Sequence, residues 1–182
     1  EVIFYGSGPE LTAIVEHPAL DAARDGVRDG LAAAGFGAQQ INFVYQSAQG
    51  DASTAAQIAR QLVGDGAAVI VPISTPSAQA VLAATSDIPV VFTAVTDPLA
   101  AQLVTNLEAP GGNVTGLSDM SPMADHLALM QEFVPDLDAI GVLYNAGEVN
   151  SVSLVTRLKE LAAAAGVTIV EATAENSSAV QN

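Results

Sequence analysis

Short apolar runs alternate along this chain with segments whose apolar residues recur at helical spacing. That alternation marks β-α-β units and so a parallel sheet flanked by helices. Strands are expected at residues 11–15, 41–45, 67–73, 88–93 and 114–117, then at 139–144 and 167–172. Residues 67–73 are apolar throughout, as a strand buried on both faces must be. Helices are expected at 18–34, 51–63, 76–84, 97–107, 123–133 and 151–165. In the first of these, Leu20, Ala23, Val27, Leu31 and Ala34 form one stripe; Pro18 suits the opening turn and Gly35 the close. Pro110-Gly111-Gly112-Asn113 reads as a turn, after which the pattern starts again. The fold class is therefore α/β, three layers around a parallel sheet. A complete first lobe is expected over 1–117 and a truncated second lobe over 118–182.

Composition narrows the partners. Twenty acidic residues face five basic ones, a net charge of −15. Such a surface repels phosphate backbones and anionic bilayers, so neither nucleic acid nor a membrane surface is expected as a partner. There is no cysteine, which excludes disulfides and thiolate metal sites, and the two histidines have no ligand spacing. No metal and no cofactor are expected. No apolar run is long enough to cross a membrane as a helix. The first residues carry no basic, apolar leader, so an exported protein would be represented here by its mature part.

Ligands of parallel α/β sheets bind beyond the carboxyl ends of the strands. The residues there are Glu16-His17-Pro18, Ser74-Thr75-Pro76-Ser77, Thr93-Ala94-Val95-Thr96-Asp97, Ser118-Asp119-Met120 and Tyr144-Asn145 through Asn150. Ser74, Thr75 and Ser77 stand at a helix start, where unpaired N–H groups and the helix dipole favour an anion. Thr93 and Thr96 add hydroxyls from the neighbouring strand. Together they suit a carboxylate held by neutral donors. An ammonium needs acceptors, and Glu16, Asp97, Asp119 and Glu148 are the candidates. The five bases all sit within helix patterns, away from these loops. Each feature has a plainer reading: Ser74, Thr75 and Ser77 as helix caps, Asp97-Pro98 as a cap and first turn, Asn145 to Asn150 as a connection, Tyr144 as core.

Enzyme signatures are missing. There is no nucleophile elbow, no phosphate-binding glycine loop of the Walker type and no G-x-G-x-x-G after the first strand. The expectation is a binding protein rather than an enzyme. A ligand-sensing domain of a receptor or regulator, built on the same fold, is the alternative.

Several of these stretches together resemble the substrate-binding proteins of ABC transporters of the tryptophan/tyrosine uptake type, with a type I periplasmic-binding-protein fold. They are Val15-Glu16-His17-Pro18-Ala19-Leu20-Asp21, Ala48-Gln49-Gly50-Asp51, Ser74-Thr75-Pro76-Ser77-Ala78-Gln79, Val91 through Pro98, Pro110 through Gly116, Gly141 through Asn145, and Asn150-Ser151. The resemblance implies a two-lobed clamp, hinged near 113–118, that captures an aromatic amino acid and delivers it to a membrane permease. It implies a periplasmic or extracellular location, a lipid anchor being one option. It places the amino-acid end of the ligand at Ser74–Ser77 and Thr93–Thr96 and carries over Glu16 and Asn150 as contacts. Phe92, Tyr144 and Met120 are the nearest residues for packing on a ring. Residues 1–9 depart from the family pattern, and the second lobe lacks strands that complete it. The sequence is then part of a longer or rearranged one, or a second chain supplies the rest.

Overall fold

The computed structural model describes residues 9–37 and 43–181. The expected strand over 41–45 lies partly outside them, as does the atypical lead over 1–8. The chain divides into two compact units, Glu1–Asp119 and Met120–Asn182.

In the first unit, β1 (Pro9–Ala13), β2 (Val44–Ser47), β3 (Val69–Ile73), β4 (Val90–Val95) and β5 (Val114–Ser118) form one parallel sheet in the order β2-β1-β3-β4-β5. The helices are α1 (Pro18–Ala33), α2 (Ala52–Gly64) and α3 (Thr75–Ala84). The order reverses direction at β1, since β2 lies on one side of it and β3 on the other. Right-handed crossovers then set α1 on one face and α2 with α3 on the other. On the α1 face, Leu11, Ala13, Val71 and Ile73 form a core against Leu20, Ala23 and Val27, three positions of the stripe visible in the sequence. On the other face α2 and α3 pack together, burying Ile58, Leu62, Ala78 and Val81.

α1 covers only part of its face. Beside it a trough of about 510 Å3, lined by Val27, Leu31, Val71, Val91, Thr93 and Leu117 among others, runs over β3, β4 and β5. β4 and β5 approach so closely that a Cβ on Gly116 would stand 2.2 Å from the Phe92 carbonyl oxygen and 2.4 Å from its ring. Only glycine allows that approach. The turn before β5 needs glycine as well, with Gly111 at φ 68 and Gly112 at φ 65. Asn113 donates from Nδ2 to the Ile88 carbonyl at 2.7 Å, fastening this turn to the start of β4.

One expected helix does not form. Residues 97–107 make a single helical turn and then irregular structure. Asp97 caps that turn through Oδ1, accepting from the N–H groups of Leu99 (3.1 Å) and Ala100 (3.0 Å). Gln102 then adopts φ 58, and the N–H groups of Leu103 and Val104 both turn back to the Pro98 carbonyl. A left-handed residue ends a right-handed helix, whatever the apolar spacing downstream.

The second unit contains β6 (Ala139–Tyr144) and β7 (Thr168–Thr173), paired in parallel with Ala139 opposite Thr168 and Tyr144 opposite Thr173. Its helices are α4 (Met123–Phe133) and α5 (Val149–Ala164), and Val155, Leu158 and Ala162 are the buried stripe of α5. A short 3₁₀ segment covers Ser177–Gln181. β6 alternates: Ala139, Gly141 and Leu143 are exposed, while Ile140, Val142 and Tyr144 are half-buried. Leu143 is 51% and Val170 is 59% exposed, so one face of this sheet stays open.

Candidate functional site

The carboxyl edge of the five-stranded sheet gathers its loops by hydrogen bonds to main-chain carbonyls. Gly50 N–H donates to the Ile14 carbonyl at 2.7 Å, joining the loops after β2 and β1. Ser74 N–H donates to the Thr93 carbonyl at 3.0 Å, joining the ends of β3 and β4. Asp119 N–H donates to the Val95 carbonyl at 3.0 Å, and Ser118 Oγ donates to the Thr96 carbonyl at 2.9 Å, joining β4 and β5.

Backbone strain collects on this same edge. Among the described residues, Gln49, Ser74 and Ala94 have φ of 55, 95 and 53, each just past or at the end of a strand. Ser74 has ψ 157 as well, a region that glycine alone occupies easily. Ala94 accompanies a register shift between Phe92 and Val95 where β4 pairs with β5. Such conformations persist where the surroundings hold them, and they cluster at ligand sites. Sequence reading found the hydroxyls here but not the strain, because no residue type at these positions signals a positive φ.

At α3 the hydroxyls do not cap. Ser74 is the N-cap residue, yet it makes no side-chain bond to the helix N–H groups. Its Oγ donates instead to Ser77 Oγ at 3.3 Å. Thr75 is 2% exposed and its Oγ1 is buried without a hydrogen-bond partner. The helix start therefore keeps N–H donors beside an unpaired hydroxyl. Thr93 and Thr96 are half-buried, and Thr93 also lines the trough on the α1 face.

Other sequence candidates have structural duties. His17 caps α1, Nδ1 accepting the Ala19 N–H at 3.2 Å, and leaves Glu16 exposed before it. Asp51 caps α2, accepting from Ser53 Oγ at 2.6 Å and Thr54 N–H at 2.7 Å. These bonds pull its carboxyl down to about 2, the Ser53 hydroxyl contributing most. Asp97 caps its own turn, as described, so its Oδ1 is engaged. Phe92 is 3% exposed and packed on Gly116, which removes it as a platform for a ligand ring. Met120 and Asp119 are exposed. All five basic residues lie on α1, α2 or α5.

In the second unit, Tyr144 donates from its hydroxyl to Glu171 Oε2 at 2.8 Å, and Glu171 also pairs with Lys159. The Lys159 ammonium, and then the Tyr144 hydroxyl, hold the Glu171 carboxyl below its ordinary range, while the Glu171 bond pushes Tyr144 up. Tyr144 also borders a cavity of about 210 Å3 with Met123, Val142, Ser151 and Leu154. Asn145 builds the turn before α5: its Oδ1 accepts the Gly147 N–H at 2.9 Å. Its Nδ2 donates to Glu148 Oε1 and to the Glu175 carbonyl, both at 3.2 Å. Asn150 Nδ2 donates to Glu148 Oε2 at 3.2 Å, and Asn150 Oδ1 is buried without a partner. Among the described residues no cluster of histidine and acids has the arrangement of a metal site, and no helix is long and apolar enough to cross a membrane.

Residues 10–182 match the family described as ABC transporter substrate binding protein. The chain belongs to that family. A tyrosine-binding protein of Clostridioides difficile is 43% identical over 171 residues, covering 93% of this chain and 50% of that protein. A crystal structure of a conserved domain protein from Vibrio cholerae superposes with a TM-score of 0.94 at 52% identity, over 97% of this chain and 60% of that one. A Streptococcus pneumoniae ABC domain in complex with L-Trp superposes with a TM-score of 0.91 at 37% identity, over 94% and 58%. The chain thus has a type I periplasmic-binding-protein-like fold, and it spans about half the length of the curated relative it matches.

Proposed function

We propose that the chain captures an aromatic amino acid at the carboxyl edge of its first sheet, as the binding component of an ABC uptake system. The observation that carries this reading is the Thr75 hydroxyl, buried and unpartnered at the uncapped start of α3, behind a strained Ser74. A buried hydroxyl without a partner costs about 1–3 kcal/mol, and a ligand carboxylate would satisfy it together with the N–H groups of the first turn. Ser74 and Ser77 shape that cradle; Thr93 and Thr96 flank it. Glu16 and Asp119, both exposed just past strand ends of the same sheet, are the acceptors proposed for the ligand's ammonium. In the second unit, Tyr144 and Asn145 shape the proposed contact edge, and Asn150 contributes a contact. Relatives with tyrosine or L-Trp in their names supply the ligand class. The product of the encounter is a complex, with no bond made or broken. Delivery to a membrane permease, and a location outside the cytoplasmic membrane, follow from the family role.

The test is Thr75→Val, which removes the hydroxyl and keeps the shape. By this reading the variant melts at the same temperature as the parent or higher, because an unpaired buried group is gone. Its affinity for L-tyrosine and L-tryptophan, measured by calorimetry, falls about tenfold, roughly one lost bond to a charged group. Unchanged affinity would remove the carboxylate site. A thermal-shift screen of the amino acids identifies the ligand, since a ligand that binds only the folded form raises its melting temperature.

A further inference from the structure

The turn between β6 and α5 is organised around one carboxylate. Glu148 Oε1 accepts from Asn145 Nδ2 and its Oε2 accepts from Asn150 Nδ2, both at 3.2 Å. We propose that Glu148 is a positioning residue: it fixes the Asn150 amide so that its oxygen is offered to a hydrogen-bond donor of the ligand. This rests on the reading above, in which the ligand is an amino acid and Asn150 touches it.

The argument is one of donors and acceptors. A carboxylate accepts and has no proton to give. Each asparagine facing it must therefore turn its NH2 inward. For Asn150 this leaves Oδ1 pointing elsewhere, and there it is buried with no donor. Flipping the amide would not repair this, since it would set the amide oxygen against the Glu148 carboxylate. The orientation is fixed by this chemistry. Asn145 is different. Its Nδ2 is shared between Glu148 and the Glu175 carbonyl, and its Oδ1 holds the Gly147 N–H. Asn145 has neither end left over and serves the turn. Asn150 keeps one acceptor in hand.

Charge selects what that acceptor takes. Asn150 lies in the first turn of α5, where the helix dipole alone would disfavour a cation. The Glu148 carboxylate beside it reverses the local sign. An ammonium is then the preferred donor, ahead of a neutral hydroxyl. An aromatic amino acid brings the first always and, as tyrosine, also the second.

Three probes separate these donors: L-tyrosine, L-phenylalanine, which lacks the phenol, and 3-(4-hydroxyphenyl)propionate, which lacks the ammonium. Affinities are measured by calorimetry for the parent, Glu148→Gln and Asn150→Ala, with melting temperatures as a check on folding. Both substitutions are expected to weaken both amino acids about tenfold and to change the propionate less than about twofold. The double substitution should be no worse than Asn150→Ala alone, because Glu148 acts through Asn150. Loss confined to the two phenols would also support the offered oxygen, with the hydroxyl as its donor. Equal loss for all three probes, or no loss, overturns the proposal. The side-chain amide signals of Asn150 in NMR give an answer without any ligand: they should move in Glu148→Gln, and if they do not, Glu148 does not hold Asn150. A parent that binds none of the probes defeats the amino-acid reading, while the amide signals still decide the role of Glu148.

Discussion

Ser74 holds a conformation, φ 95 and ψ 157, that costs a residue with a Cβ about 1–3 kcal/mol. Its N–H bond to Thr93 and its hydroxyl contact with Ser77 hold it there. Two substitutions separate these contributions. Ser74→Ala and Ser74→Gly both lose the hydroxyl contact, but only glycine relieves the backbone. Ser74→Gly should therefore be the more stable of the two by about 1–3 kcal/mol in urea denaturation, even though glycine normally loosens an unfolded chain. Equal midpoints would mean that strain at 74 is no larger than glycine's own cost, about 0.5–1 kcal/mol. The hydroxyl cluster at Ser74, Thr75 and Ser77 was readable in the sequence because helix starts and strand ends have a chemical grammar. Its strain was not, since serine is no marker for a positive φ. Phe92 shows the opposite failure. It looks like a ring platform in sequence, but its ring is buried against the space that the missing Cβ of Gly116 leaves.

Elements were legible where periodicity and punctuation agreed. β6 and α4 fall where the pattern places them, and α1 has its proline at the start and its apolar stripe on the core. The segment 97–107 departs from its pattern: its spacing is helical while its backbone is broken at Gln102. Local hydrogen bonds to Asp97 and Pro98 outweigh the pattern there. α2 gives a pH prediction. Its cap, Asp51, titrates at about 2 in the folded chain, below its ordinary 3.8. A carboxyl lowered on folding stabilises above its unfolded value, and that stabilisation is lost as pH falls through the folded value. Asp51→Asn, which still caps, should keep the melting temperature near neutrality and flatten its decline between about pH 4 and 2 relative to the parent. Asp51→Ala should lower the melting temperature by a few degrees near neutrality, because the cap itself is gone. Identical acid profiles for parent and Asp51→Asn would mean that folding does not lower the Asp51 carboxyl, and an unchanged melting temperature in Asp51→Ala would deny the cap its role.

At the scale of the molecule, charge is the property that sequence alone settles: −15, with twenty acids and five bases. The structure adds that Arg24, Arg157 and Lys159 are already engaged with acids, so little positive charge remains to offset the rest. Net repulsion should outweigh these exposed pairs, each worth at most about 1 kcal/mol. Raising sodium chloride from about 10 mM to 0.5 M shortens the screening length from about 30 Å to a few Å. The melting temperature should then rise by several degrees, and a fall would show that the attractive pairs dominate. The α/β class was legible because short apolar runs alternate with helical spacing, and the central strand β3 is apolar throughout, as burial on both faces requires. The open side of the β6–β7 pair, where Leu143 and Val170 look outward, is perpendicular to the strand ends that carry Tyr144 and the Glu148 turn. Stickiness and the proposed selectivity therefore occupy different axes of the same two strands, and an engineer who made the first more polar would have no reason to disturb the second.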